Sequence, residues 1–159
     1  MENACLINRR TFITTSTALA AGICVCGLEG CFLFPSEGNT PKILPQSYEI
    51  HEHEKKLIIF MELAPELRNA GTAVKIIDSR LNDSIIIVNT GVKGFRALSI
   101  KCTHNGFEVE YKPDDNIFRC ISVNHALFSC DGEVLSGPTE KTLAIYPVEV
   151  TNDKLMISI

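Results

Sequence analysis

The chain has 159 residues, of which 45% are hydrophobic and 21% charged, values that fit one globular domain with an additional N-terminal segment. Its formal net charge is −4, and acidic and basic residues are interspersed after residue 50. Because a nucleic-acid binder needs a basic patch to neutralise phosphates, the composition argues against a nucleic-acid partner.

Residues 1–31 are predicted to be an export signal. Arg9 and Arg10 are followed by Phe12 and then by a weakly hydrophobic stretch, residues 13–28, rich in Thr, Ser, Ala and Gly. Paired arginines before a mild hydrophobic region are typical of a twin-arginine signal. The alternative is an N-terminal helix of the domain, but the stretch lacks a polar face. The sequence therefore predicts export to the periplasmic face of the cytoplasmic membrane.

Two interpretations remain for the end of this signal. Residues 28–31, Leu-Glu-Gly-Cys, resemble a lipoprotein-processing box in which Cys31 is the acylated residue. Alternatively, residues 18–34 form an uncleaved anchor, although this stretch contains Glu29 and is short for a bilayer span of about 20 apolar residues. Either interpretation leaves the domain tethered to a membrane face.

Residues 32–44 are predicted to be a flexible linker, since they contain two prolines, Gly38 and several small polar residues. The remaining residues, 45–159, predict an all-β domain, a small sandwich or barrel of short antiparallel strands. The predicted strands are apolar runs rich in β-branched residues, at 56–61, 73–77, 84–88, 95–100, 143–150 and 155–159. The run at 84–88 is typical of a strand buried on both faces, and residues 64–69 are a weak helical candidate.

Seven cysteines are many for this length, but four of them lie within residues 1–31. The domain keeps Cys102, Cys120 and Cys130, and a pure disulfide framework would leave one of these three thiols unpaired. Two metal-ligating cysteines and one ordinary thiol fit the count at least as well. In that interpretation Cys130 is a small, half-buried residue, whereas in a metal-free protein it can pair with Cys102 or Cys120.

A second group of metal-ligand types lies near the start of the domain. His51 and His53 alternate with Glu52 and Glu54, so both imidazoles would share one side of an extended segment. With no third ligand evident nearby, the preferred interpretation is a solvated strand face and not a metal site.

A cluster of iron-ligand types follows the predicted strand at 95–100. The motif Cys102-Thr103-His104-Asn105-Gly106 is followed by Phe118-Arg119-Cys120, by His125 and Phe128, and by residues 131–138, which end in Gly-Pro. Over residues 71–159 this arrangement resembles the Rieske family, whose pattern is Cys-x-His, then Cys-x-x-His, then a Gly-Pro loop. The resemblance implies a Rieske-like β fold with two ligand-bearing loops and a [2Fe–2S] cluster.

The resemblance also implies four cluster ligands. Cys102 and Cys120 would hold the buried iron, and His104 and His125 would hold the exposed iron. Replacing two thiolates by neutral imidazoles leaves less negative charge on the cluster, which raises its reduction potential. The Gly-Pro loop would cover the cluster.

The second ligand loop departs from the family pattern. Counted from Cys120, the histidine position falls at Val123; counted back from Phe128 and the Gly-Pro loop, it falls at Asn124. The available histidine is His125, which makes the spacing Cys-x4-His. Two interpretations stay open: the loop bulges and His125 still reaches iron, or the domain is a cluster-free relative.

Other family features are replaced. Phe107 and either Ser122 or Val123 occupy the positions of a disulfide that joins the two loops in quinol-oxidising members, so that bridge is absent. Ala126 and Phe128 stand where a serine and a tyrosine donate hydrogen bonds to the cluster and its ligand sulfur. Losing such donors lowers the potential, so we expect any cluster here to have a potential in the lower part of the Rieske range.

The resemblance implies an electron-transfer subunit of a quinol/cytochrome or molybdenum oxidoreductase, and not a complete enzyme as an isolated chain. Its partner would be a redox protein or a quinol at the membrane. A cluster-free binding or scaffold module is the alternative. A ferredoxin of a ring-hydroxylating dioxygenase is disfavoured, because such ferredoxins usually lack a leader such as the one that Arg9 and Arg10 indicate.

Overall fold

A computed structural model describes residues 38–159, so the predicted export signal, Cys31 and the first part of the linker lie outside the described residues. Within this range the chain forms short strands and three turns of 3-10 helix. The strands are β1 (Tyr48–His51), β2 (Lys56–Phe60), β3 (Thr72–Ile76), β4 (Ile85–Asn89), β5 (Phe95–Ser99), β6 (Val109–Lys112), β7 (Ile117–Cys120), β8 (Leu127–Ser129), β9 (Val134–Ser136), β10 (Ile145–Tyr146), β11 (Val148–Thr151) and β12 (Lys154–Ser158). The 3-10 turns are Pro45–Ser47, Glu52–Glu54 and Pro65–Arg68.

The strands form three four-stranded antiparallel sheets, which confirms the all-β prediction. The base sheet has the order β1-β2-β12-β11, the central sheet β10-β5-β4-β3, and the ligand sheet β6-β7-β8-β9. The ligand sheet is a meander of consecutive strands. The base and central sheets instead join strands that are distant in sequence, such as β2 with β12.

The central sheet separates two hydrophobic cores, and β4 contributes to both. Ile85 and Ile87 pack in the core shared with the base sheet, while Ile86 and Val88 pack in the core shared with the ligand sheet. All four side chains are at most 1% exposed. Because successive side chains of a strand point to opposite faces, an uninterrupted apolar run is what a doubly covered strand needs. The prediction of burial on both faces is confirmed.

The predicted strand at 143–150 is divided in the structure. Ile145–Tyr146 pairs with β5 in the central sheet, whereas Val148–Thr151 pairs with β12 in the base sheet. Pro147 lies between them and has no N–H with which to continue the first ladder, although its carbonyl accepts a hydrogen bond from the Ser158 N–H at 3.0 Å. The chain therefore crosses from one sheet to the other at Pro147.

Two local predictions are corrected. The helical candidate at 64–69 is only the 3-10 turn Pro65–Arg68, which buries Leu67. The segment with His51 and His53 does not stay extended, because β1 ends at His51 and a 3-10 turn follows, closed by Lys55 in a left-handed conformation at φ 51°. Along residues 38–159, no helix is both long and apolar enough to traverse a bilayer.

Candidate metal centre

The first ligand loop joins β5 of the central sheet to β6 of the ligand sheet. The Cys102 N–H donates to the Phe107 carbonyl at 2.7 Å, and the Gly106 N–H donates to the Cys102 carbonyl at 2.8 Å. Gly106 has φ 76°, a backbone conformation that glycine adopts without steric cost. These bonds close a tight turn that contains His104.

The second ligand loop joins β7 to β8. The Cys120 N–H donates to the Ala126 carbonyl at 2.9 Å, so the loop is closed between these two residues. Within it the His125 N–H donates to the Ser122 carbonyl at 3.2 Å, and His125 itself has φ 21°. The extra residue is therefore accommodated in a turn within the loop, and the strands are not lengthened.

A third loop contacts both ligand loops. The Thr103 hydroxyl donates to the Lys141 carbonyl at 2.7 Å, which ties the first ligand loop to the segment after Gly137 and Pro138. Gly137 has φ 113°, and a Cβ atom at this position would lie 2.6 Å from Cα of Ala126 in the second ligand loop. The Gly-Pro loop therefore packs against the ligand loops at a distance that only glycine permits.

The thiols of Cys102 and Cys120 are neighbours. Both side chains are buried, and the Cys102 thiol interacts with the Cys120 thiol and with the backbone N–H groups of His104 and Asn105. Burial, and to a lesser extent the neighbouring thiol, raise the pKa of Cys102 to about 11, while the two N–H groups oppose this rise. Adjacent sulfurs with N–H donors directed at one of them suit a pair of thiolates bound to one iron.

His104 follows Cys102 by two residues in the first ligand loop and has an unsatisfied nitrogen. Its Nδ1 atom is buried and has no hydrogen-bond partner within residues 38–159. The imidazole lines a cavity of about 190 Å³ together with Phe107, Ile121, Val123 and Asn124. A buried, unpaired polar atom costs about 1–3 kcal/mol, and a metal ligated by Nδ1 would remove this cost.

The structure does not place His125 in the same cavity. Its side chain is exposed, and Nδ1 lies 3.1 Å from the Cys120 carbonyl oxygen. The ring lines a different cavity, beside Lys112 and Arg119. Asn124, the family's histidine position counted from Phe128, lines the same cavity as His104, and so does Val123, the position counted from Cys120.

The structure thus brings Cys102 and Cys120 together and places His104 and His125 in different cavities. Within residues 38–159, no three His, Cys, Asp or Glu side chains are grouped so that they could hold a single metal ion. A two-iron cluster distributes its sulfur and nitrogen ligands over two metals. The assignment of Cys102, His104, Cys120 and His125 as its ligands stays a prediction.

Ser122 is a residue of this site that the sequence argument missed. It is buried, and its hydroxyl oxygen lies 3.2 Å from the Cys120 sulfur. Ala126 and Phe128, the positions from which hydroxyl donors had been lost, are apolar and fully buried, as expected from their residue types. The signal that would have indicated Ser122 is its place two residues after Cys120 in a tight loop, within reach of that sulfur.

Cys130 lies apart from the thiol pair. Its buried sulfur contacts the carbonyl and the side-chain oxygen of Asn116, each at 2.9 Å. Asn116 belongs to the β6–β7 turn, at the opposite end of β7 from Cys120. Cys102, Cys120 and Cys130 are all free thiols in the structure.

The raised pKa of Cys102 predicts a pH dependence of stability in metal-free protein. Above pH 9 the thiol ionises in the unfolded chain but stays protonated in the folded one until about pH 11. Its contribution to the free energy of unfolding is therefore complete below pH 9 and is lost between pH 9 and 11. Urea unfolding of wild-type protein and of Cys102→Ala should show a steeper loss over this range in the wild type; parallel curves would contradict it.

Comparison with known proteins finds similarity to iron-sulfur subunits. The chain is 34% identical over 76 residues to the cytochrome b6-f complex iron-sulfur subunit of Chlorobaculum thiosulfatiphilum, covering 48% of this chain and 41% of that protein. It is 32% identical over 78 residues to the subunit of the same name from Chlorobaculum tepidum, covering 49% and 42%. The match thus spans less than half the length of these curated relatives, and no family model matches the sequence.

A solved structure is also similar. The cyanobacterial plasma membrane Rieske protein PetC3 from Synechocystis PCC 6803 has 27% identity and a TM-score of 0.48, over 55% of this chain and 86% of that one. The curated matches are to iron-sulfur subunits, and the described domain carries the two thiols and His104 of the pattern given above. The chain is therefore similar to Rieske iron-sulfur proteins over about half of its length.

Proposed function

We propose that this protein is an exported, membrane-tethered electron-transfer subunit of a quinol/cytochrome or molybdenum oxidoreductase. Cys102 and Cys120 would hold one iron of a [2Fe–2S] cluster, and His104 and His125 the other. The observation that carries the proposal is the buried thiol pair together with the buried, unpaired Nδ1 atom of His104 in the same loop as Cys102. When bound, such a cluster supplies a one-electron carrier.

The residues around the thiols prepare them for this role. The N–H groups of His104 and Asn105 are directed at the Cys102 sulfur, and the Ser122 hydroxyl lies against the Cys120 sulfur. Hydrogen bonds to a thiolate stabilise its negative charge and make up for part of the hydration lost on burial. Each thiolate would thus have hydrogen-bond donors from the loop that carries it.

The cavity beside His104 gives a partner access to the site. Phe107, Ile121 and Val123 form an apolar wall next to the imidazole, and Val123 is 68% exposed. Apolar side chains next to an imidazole and a few polar groups, here Asn105, Ser122 and Asn124, suit a quinol ring or a protein interface. On this proposal, electrons enter or leave through the His104 edge of the site.

His125 must reorient to complete the ligand set. Its present hydrogen bond to the Cys120 carbonyl is partly buried and is worth about 1 kcal/mol. Its φ of 21° is also unfavourable for a residue other than glycine. Structural Zn²⁺ sites bind their metal with roughly 10 kcal/mol or more. A binding free energy of this size would exceed the cost of rearranging one short loop.

Location and partners extend the same proposal. The curated relatives are named as subunits of a cytochrome complex, and the paired arginines with Cys31 support export and tethering of this chain. The redox partner would be a protein or quinol on the periplasmic face of the cytoplasmic membrane.

The test is the metal content of purified full-length protein, measured after anaerobic reconstitution. We expect red-brown protein with about two iron atoms and two acid-labile sulfides per chain, and the paramagnetic resonance signal of a [2Fe–2S] cluster after reduction. Colourless protein that stays free of iron after reconstitution would contradict the proposal.

A cluster-free binding or scaffold module is the second candidate. The observation that favours it is specific to the second ligand loop, where Asn124 shares the cavity with His104 and His125 is turned to the other side. An amide is a weaker iron ligand than an imidazole, so this arrangement would leave the outer iron underligated.

A further inference from the structure

Glu108 is the last residue of the first ligand loop, and its backbone lies between the two segments that carry the paired cysteines. It forms an antiparallel bridge with Lys101, the residue before Cys102. On its other side, the Glu108 carbonyl accepts the N–H of Ile121, the residue after Cys120, at 3.1 Å. A shift of Glu108 would therefore be passed to both cysteine-bearing segments.

The Glu108 side chain is anchored outside the ligand sheet. Lys75 Nζ, from β3 of the central sheet, lies 2.8 Å from Glu108 Oε2, and the two side chains are 3% and 10% exposed. The same Glu108 oxygen accepts the Gly38 N–H at 2.7 Å, and Lys75 Nζ donates to the Gly38 carbonyl at 3.1 Å. Buried charges need hydrogen bonds beyond their mutual attraction, and Gly38 supplies one to each partner. We call Gly38, Lys75 and Glu108 the clamp.

The segment that carries Gly38 is itself attached to β3. The Lys75 N–H donates to the Pro41 carbonyl at 2.8 Å, and the Ile43 N–H donates to the Lys75 carbonyl at 3.1 Å. Lys42 and Lys75 thereby form a parallel bridge. The clamp therefore joins the end of the first ligand loop to a part of the central sheet that is held by its own backbone hydrogen bonds.

Stability alone does not explain an ion pair at this place. Replacing a buried ion pair by apolar side chains of similar volume is often neutral or stabilising, because the charges no longer have to leave water. The ion pair instead provides direction. Hydrogen bonds are satisfied only over narrow ranges of distance and angle, so the three bonds among Gly38, Lys75 and Glu108 fix the carboxylate in one place.

We propose that the clamp positions Glu108 and thereby fixes the two cysteine-bearing segments relative to each other. Its members are positioning residues of the metal site and do not touch the metal. Metal ligands must be held within about 0.5 Å of their working geometry, and residues behind the ligands supply this support. The identity of the site as a metal site rests on the proposed function, whereas the clamp and its link to the two segments do not.

Amide hydrogen exchange of metal-free, full-length protein in detergent tests the clamp. Lys75→Met breaks the ion pair, and adding Glu108→Met replaces both charges by apolar side chains of comparable length. In both variants we expect exchange at Ile121 to accelerate at least about tenfold relative to the amides of β4. The double variant should nevertheless unfold in urea near the wild-type midpoint. A pair that only stabilised the fold would give slow exchange at Ile121 again in the double variant.

Lys112→Met is the matched control for these variants. Lys112 pairs with Glu110 at 3.0 Å, but both residues belong to β6, so this pair does not join two sheets. Its loss should leave exchange at Ile121 unchanged relative to β4. An Ile121 amide that is unprotected in the wild type would overturn the proposal. So would a wild-type exchange ratio in the double variant, or an equal acceleration in the control.

Cluster retention tests the link to the proposed function. After reconstitution, the double variant should lose its visible absorption to a chelator about tenfold faster than the wild type, because lost outer-shell support weakens metal affinity roughly 10–100-fold. Equal rates would overturn the role of the clamp at the metal. Wild-type protein that takes up no iron contradicts the proposed electron-transfer function instead, and the exchange result then decides the clamp alone.

Discussion

Replacing Cys120 by alanine is expected to abolish iron and sulfide binding. The Cys120 side chain is fully buried and neighbours the Cys102 thiol. Its sulfur also lies against the Ser122 hydroxyl, so no other described side chain can take its place. Loss of one thiolate leaves the inner iron with a single cysteine ligand, which does not hold a cluster of this type. Iron and acid-labile sulfide should fall from about two each per chain to background, with loss of the visible absorption.

Cys130→Ala is the matched control for this loss. Cys130 is a buried cysteine directly after β8, but its sulfur contacts only the oxygens of Asn116 among the hydrogen-bonding partners described. The variant should keep its iron and lose only the modest stability expected for a small buried side chain. If Cys120→Ala kept its iron, or if both variants lost it equally, the thiol pair would not be the metal site.

Substitutions in the second ligand loop should separate the two candidate functions. On the proposed electron-transfer function, His125→Ala removes the fourth ligand, and iron content should fall at least several-fold while the fold persists. The side chain is exposed and makes one hydrogen bond, so its removal has little effect on the free energy of unfolding. Iron content and visible absorption measure cluster binding, and urea unfolding measures stability independently.

Asn124→Ala and Asn124→His complete this experiment. Asn124 shares the cavity with His104, so Asn124→Ala measures whether that position holds the metal instead. We expect Asn124→Ala to retain the wild-type iron content. Colourless wild-type protein that gains iron and sulfide only as Asn124→His would establish the cluster-free module, with its site lost at this one position.

Much of the architecture followed from local sequence pattern. The uninterrupted apolar run at 84–88 could only be satisfied by cover on both faces, and β4 has two cores against it. The division of β10 from β11 was also foreseeable, since Pro147 cannot continue a ladder. The convergence of Cys102 and Cys120 followed from the resemblance to the Rieske family, which carries information about tertiary contacts that spacing alone lacks.

The rest depended on contacts that no local pattern encodes. The direction of the His125 ring is decided by which backbone groups close the second ligand loop, and Cys120 pairs with Ala126 there. Residue counting cannot choose between such closures when one residue is extra. The attachment of residues 38–43 to the domain was not predicted, because small polar residues are typical of a linker. These residues are bound by the Lys75–Glu108 pair, whose two members lie far apart in the chain.

The position of β12 has a consequence for how the protein is made. This strand lies between β2 and β11, so the β1–β2 hairpin keeps an open edge until the far end of the described chain has left the ribosome. Such a distant pairing closes late and slowly, which favours completion of the fold after synthesis. An export route that accepts finished, metal-loaded proteins would then suit this topology better than one that threads unfolded chains.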